Sequence, residues 1–207
     1  MVTDAELRDL AARPRRYWHV DGIPELVMGL VWLLWGGALL LGEALPRGTA
    51  YQVYWLAVPA VLVLSGVAAN WGVRQLKSRL TYPRTGYVEY LTPRPLVRIL
   101  TALVAIGTAA AAAALVVTVR TTGAVRSPAA VMGVLISLAF LVLSAREKAP
   151  HLLVLAAVAL ALGIAFGTIG LGWSNLNWLI VALGLASAGV GGWRLRRYLK
   201  RHPVAVA

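Results

Sequence analysis

The chain reads as an all-α protein, a polytopic membrane helix bundle with six transmembrane helices. Three observations predict this. Hydrophobic residues make up 59% of its 207 residues and charged residues only 14%, against about 25% charged in an ordinary soluble domain. So much apolar surface cannot be kept from water in a chain of this size. The uncharged runs have membrane length, since a bilayer core of about 30 Å takes roughly 20 helical residues. The basic residues also fall almost wholly on one side of those runs.

The first span is expected at about 23–43; from Gly22 to Gly42 the one charge is Glu25, at the edge of the run. The second covers about 51–73, the third 98–119 and the fourth 128–145. Residues 149–193 carry no formal charge, with His151 counted neutral. That run is too long for one span and suits two, at about 150–171 and 177–195, broken at Trp173-Ser-Asn-Leu-Asn-Trp178. Together these place a transmembrane domain at 21–197, with a connecting loop at 74–97 and a basic tail at 198–207.

Ahead of the spans, residues 1–20 are polar. Thr3-Asp-Ala-Glu6 has the form of a capping box, and Val2 and Leu7 occupy the positions of a hydrophobic staple. A short amphipathic helix from Asp4 to about Ala12 should follow and stop before Pro14. The segment lacks the apolar core of a cleavable signal peptide.

Charge orients the bundle. The chain has 20 Lys+Arg and 8 Asp+Glu, a net +12. Seventeen of the basic residues lie in the N-terminal segment, the 74–98 stretch, Arg146, Lys148 and the C-terminal group. Only Arg47, Arg120 and Arg126 fall on the other side. Basic residues stay in the cytoplasm, so both termini are expected there, in a multi-pass protein of the cell membrane. Tyr51, Tyr54, Trp55, Trp173 and Trp178 then mark the outer interface, and Tyr17, Trp18, Trp71, Trp193 and Tyr198 the inner one.

Small residues show where helices can approach closely. Gly163-x-x-x-Gly167 and Gly184-x-x-x-Ala188-x-x-x-Gly192 suggest that the fifth and sixth spans form a tight antiparallel hairpin. Gly107 and Ala109–Ala114 suggest a crowded position for the third. At an offset of 123 residues, Trp55/Trp178, Gly66/Gly189, Arg74/Arg197 and Lys77/Lys200 coincide, which would suit a parallel repeat of two-helix hairpins.

Chemistry is sparse. There is no cysteine, hence no disulfide, thiolate site or Cys nucleophile. No phosphate-binding glycine loop follows a strand. The basic residues are scattered over membrane-proximal segments, which argues against nucleic acid. Glu25 and Glu43 bracket the first span, and His151 opens the fifth at the inner edge. His19-x-Asp21 is the one His–carboxylate pairing of note, short of the three or four ligands that zinc takes. The sequence therefore predicts no catalytic residue, metal or cofactor.

The individual segment is Leu80-Thr-Tyr-Pro-Arg-Thr-Gly-Tyr-Val-Glu-Tyr-Leu-Thr-Pro-Arg-Pro95. Pro83 and Gly86 suit a tight turn, and Tyr87–Leu91 a short strand. Arg74, Lys77, Arg79 and Arg84, interleaved with Tyr82 and Tyr87, are the candidate surface for an anionic lipid headgroup or a protein partner. Trp32 and Trp35, mid-span, either pack against other helices or lipid, or form one wall of an aromatic pocket.

Arg16-Tyr-Trp-His-Val-Asp-Gly22 with Glu25, and Leu76-Lys-Ser-Arg-Leu-Thr-Tyr-Pro-Arg-Thr-Gly-Tyr-Val88, resemble a group of uncharacterised prokaryotic multi-spanning membrane proteins. The resemblance covers roughly residues 16–90. It implies a membrane location and no known activity. The expected function is that of a non-enzymatic scaffold, regulatory or accessory subunit acting through a basic Tyr/Arg-rich cytoplasmic face. The alternative is a small transporter or substrate-capture subunit with an aromatic-lined pocket.

Overall fold

A computed structural model describes residues 18–85, 127–147, 149–169 and 174–203, apart from the side chains at 59, 62, 63, 84 and 85. The expected N-terminal helix, the third span at 98–119 and the strand at 87–91 lie outside these residues. Within them the chain is helical, with no strand: α1 Ile23–Ala44, α2 Thr49–Leu80, α3 Tyr82–Thr85, α4 Pro128–Glu147, α5 His151–Thr168 and α6 Ser174–Arg201. Four of these, α1, α4, α5 and α6, are long and apolar enough to cross a membrane.

Large apolar side chains such as Leu34, Leu56, Leu138 and Leu185 point outward, while glycine, alanine and serine fill the closest approaches between helices. That inversion of the soluble pattern fits a protein solvated by lipid, where close helix approach replaces the hydrophobic drive.

Two antiparallel pairs build the bundle. The broad contact is α1 on α6. Gly22, Gly29 and Gly36 recur every seven residues along α1 and meet Gly191, then Ala188 and Gly184, then Val181. A seven-residue repeat keeps one seam facing its partner. Gly22 also carries φ +77°, a backbone conformation open to glycine at little cost, and turns the chain into α1 with Pro24 in the first turn. The second pair is α4 on α5, where Gly133 meets Gly163, and Gly167 meets Ser127 and Ala130.

The glycines therefore do not join α5 to α6, as their adjacency in the chain suggested. Those of α5 face α4, and Gly184 of α6 faces α1. The α5–α6 contact is formed instead by larger side chains in a core of Leu152, Leu155, Leu179 and Leu183, closed by Phe140 and Trp32. Small-residue motifs mark a close-packed face without saying which helix fills it.

Two boundaries also differ from expectation. α2 continues without a break to Leu80, so Arg74, Lys77 and Arg79 sit on a helix and not in a loop. Residues 75–80, Gln-Leu-Lys-Ser-Arg-Leu, are mostly good helix formers, and Val73 and Leu76 pack against Ile23, Val27 and Trp18. Pro83 then lies within the short α3 helix, where a tight turn was expected. α6 likewise runs through the first residues of the expected tail, to Arg201.

Candidate metal centre

At the basic end of the bundle, residues 18–22 lead into α1 across the ends of α2, α5 and α6. The sequence dictates how this entry is held. Asp21 accepts from the Ile23 backbone N–H at 3.1 Å, the local side-chain cap that Asp favours ahead of a helix. Its other oxygen accepts from Lys77 Nζ at 2.7 Å and Thr81 Oγ1 at 3.0 Å. Lys77 also donates to the Trp18 carbonyl at 2.9 Å and lies over the Trp18 ring. Both members of the ion pair are 1% exposed. Lys77 is thus the internal partner of Asp21 and not part of an outward headgroup surface.

With Asp21 engaged in this way, His19 turns elsewhere. Its Nδ1 lies 2.7 Å from Glu25 Oε1, and His151 Nε2 lies 2.7 Å from the same oxygen. Glu25 is 1% exposed and the imidazoles 14% and 15%. The His19 and His151 rings are 6.0 Å apart, centroid to centroid. Glu25 is placed by α1, one turn after the Gly22 entry. His151 is placed by the start of α5, after the short connection at Ala149 and Pro150. His19 is placed by the Asp21 anchor.

The fourth member is Arg194 of α6. Its Nη2 donates to the His19 carbonyl at 2.7 Å and lies 3.4 Å from that of Val20. Its Nη1 is 3.7 Å from Glu25 Oε1. The Gly22–Gly191 contact sets this approach, since a side chain on Gly22 would collide with Arg194 Cβ. Ser187 Oγ donates to the Glu25 carbonyl at 2.9 Å and ties the same turn of α1 to α6.

Two polar atoms here are buried without a hydrogen-bond partner: Glu25 Oε2 and Arg194 Nη1. Buried polar groups are normally satisfied, and here both imidazoles meet Glu25 Oε1 while Oε2 of the same carboxylate stays open, so the carboxylate keeps acceptor capacity for a bound group. His19, Glu25 and His151 each offer one ligand atom, and the three lie within 4.8 Å of one another. Two imidazole nitrogens and a carboxylate oxygen suit zinc, iron or manganese in the divalent state. In the hydrogen-bonded arrangement the ring nitrogens facing Glu25 carry protons, because a carboxylate only accepts. A cation requires the other tautomers and a modest opening of the 2.7 Å contacts, since ligand atoms about 2.0–2.2 Å from one metal stand farther apart than that.

The remaining sequence-predicted residues do not gather here. Arg74 and Arg79 are exposed on α2, and Tyr82 is half-buried in α3. The Arg84 side chain and Tyr87 lie outside the described residues. Trp32 packs against Phe140 at 5.8 Å between centroids. Trp35 donates to Ser65 Oγ of α2 at 2.7 Å. The two tryptophans thus engage different helices.

Sequence reasoning missed the cluster because it paired His19 with Asp21. The available signal was depth: the charge rule already put His19, Glu25, His151 and Arg194 at one membrane level. Comparison with family models, curated proteins and solved structures finds no match to this chain, in keeping with an uncharacterised family and implying no activity.

Proposed function

We propose that this chain is a non-enzymatic integral membrane protein, an accessory or regulatory subunit, that holds one divalent transition metal at its cytoplasmic end through His19, Glu25 and His151. In this reading six spans cross the cell membrane with both termini inside, and the metal ties the polar entry segment to α1 and α5. The observation that carries it is the convergence of two imidazole nitrogens, from two separate segments, on one oxygen of a buried carboxylate whose other oxygen has no hydrogen-bond partner.

Three protein donors leave at least one coordination position open. The unpartnered Nη1 of Arg194 stands beside Glu25, so the group completing the shell is an anion or a water accepting from the guanidinium. The same positive charge offsets Glu25 when no metal is bound, which keeps the buried charge compensated. The transporter alternative draws less support, because Trp32 and Trp35 are each engaged by a protein neighbour.

The test is metal stoichiometry. The detergent-purified protein, stripped with chelator, is titrated with Co²⁺ and read by its visible absorption. Metal retained by the unstripped protein is measured by mass spectrometry. One ion per chain with a nitrogen-ligated Co²⁺ spectrum is expected, lost in His151→Gln and in Glu25→Gln. A folded wild-type protein that binds no Co²⁺, Zn²⁺, Fe²⁺ or Mn²⁺ would overturn the proposal. So would His151→Gln binding metal as the wild type does.

A further inference from the structure

A second feature of the basic end shares only Arg194 with the metal proposal. Along the last turns of α6, Arg194, Arg197, Tyr198, Arg201 and His202 follow one another at i, i+3, i+4, i+7 and i+8, which places them on one face. They line an open cavity of about 290 Å³ together with Val20 and Trp193. Tyr198 is buried and stacks on His202 at 4.5 Å between centroids, forming a floor. Arg197 lies over the Trp193 ring, 5.4 Å from its centroid, and Arg194 is anchored by the His19 carbonyl. Arg197 and Arg201 are exposed.

We propose that this cavity binds a phosphate group, and that its source is the phosphodiester of an anionic lipid headgroup. Arg197 and Arg201 present two exposed guanidinium groups beside Arg194, whose own fork is engaged by the His19 carbonyl and Glu25, and no carboxylate is among the described residues that line the cavity, so the lining is that of an anion site. Planar guanidinium forks match phosphate oxygens in pairs. Trp193 favours the lipid source. It lines the cavity and is 61% exposed, at the basic end of a membrane-length helix, where tryptophan sits at headgroup depth. Basic residues at a helix C-terminus also complement the helix dipole, but that role requires neither a cavity nor a selective ligand.

The experiment compares wild type with the double variant Arg197→Gln/Arg201→Gln, leaving Arg194 and the His/Glu cluster intact. Native mass spectrometry reads lipid retained from mixtures of phosphatidylglycerol or cardiolipin with phosphatidylcholine. A parallel arm adds inorganic phosphate or glycerol 3-phosphate and reads thermal unfolding. Wild type should retain the anionic lipids selectively, and the double variant about 30-fold more weakly, as expected for two basic residues at an anionic leaflet. The selectivity should fade with salt.

Stabilisation by soluble phosphate without lipid selectivity would overturn the lipid assignment. Equal retention of anionic lipid by wild type and the folded double variant would overturn the cavity as a phosphate site. Co²⁺ binding should be unchanged in the double variant, so failure here is distinguishable from failure of the metal centre.

Discussion

Replacing Gly29 by alanine adds one methyl group and tests the α1–α6 seam directly. A Cβ built on Gly29 falls 2.7 Å from both Ala188 Cα and the Gly184 carbonyl oxygen, and closer still to the Ala188 nitrogen. All three are backbone atoms of α6, so no side chain can swing aside and the helices must separate locally by the better part of an ångström. Overpacking of this kind costs about 1–3 kcal/mol. Opposing it is the intrinsic gain of Gly→Ala in a helix, about 0.5–1 kcal/mol. The control is Gly37→Ala on the same helix, whose added Cβ meets nothing within 4 Å, so only the gain applies. Gly29→Ala should therefore be net destabilised by roughly 0–2.5 kcal/mol, and Gly37→Ala should be unchanged or slightly stabilised. Denaturant unfolding in one detergent, followed by tryptophan fluorescence, reads the difference between the two. If Gly29→Ala is as stable as Gly37→Ala, α1 and α6 do not pack through this glycine and the fold described above is wrong at its main interface.

Three further outcomes are expected. Lys77→Met should destabilise by about 3–5 kcal/mol, because it leaves Asp21 charged and buried; recovery of much of that loss in Lys77→Met/Asp21→Leu would establish the pairing, and additivity would refute it. Trp35→Phe removes the donor to Ser65 and should cost about 0.5–2 kcal/mol, the range of interhelical hydrogen bonds in membranes, with Trp35→Phe/Ser65→Ala no worse than the single change; a larger effect on retained small molecules than on stability would favour a ligand pocket. Ser78→Cys, on an exposed position of α2 in a chain with no other cysteine, should be labelled by an impermeant maleimide only after membrane disruption. Labelling from outside intact cells would invert the topology. Ser144 is a poor site for this probe, since it is 6% exposed and donates to the Ala149 carbonyl.

Composition and hydropathy determined the class of this protein, because the bilayer imposes helices of set length and apolar surface whatever their neighbours. The starts of α1, α4 and α5 fall within a residue or two of the uncharged runs for that reason. Pairing was not determined in this way. Gly163 and Gly184 announce close contacts, but a glycine face fits any helix that offers a matching one, and only the tertiary structure shows that Gly163 meets Gly133 while Gly184 meets Gly29 and Leu33. The candidate centre divides along the same line. Charge and depth placed His19, Glu25, His151 and Arg194 at one end of the bundle. Whether they touch depends on which helices are neighbours and on Lys77 occupying Asp21, a contact 56 residues apart in the chain. Local sequence carries the periodicity of each helix, whereas the partner of each face is chosen by shape and charge complementarity between segments that the chain order leaves unpaired.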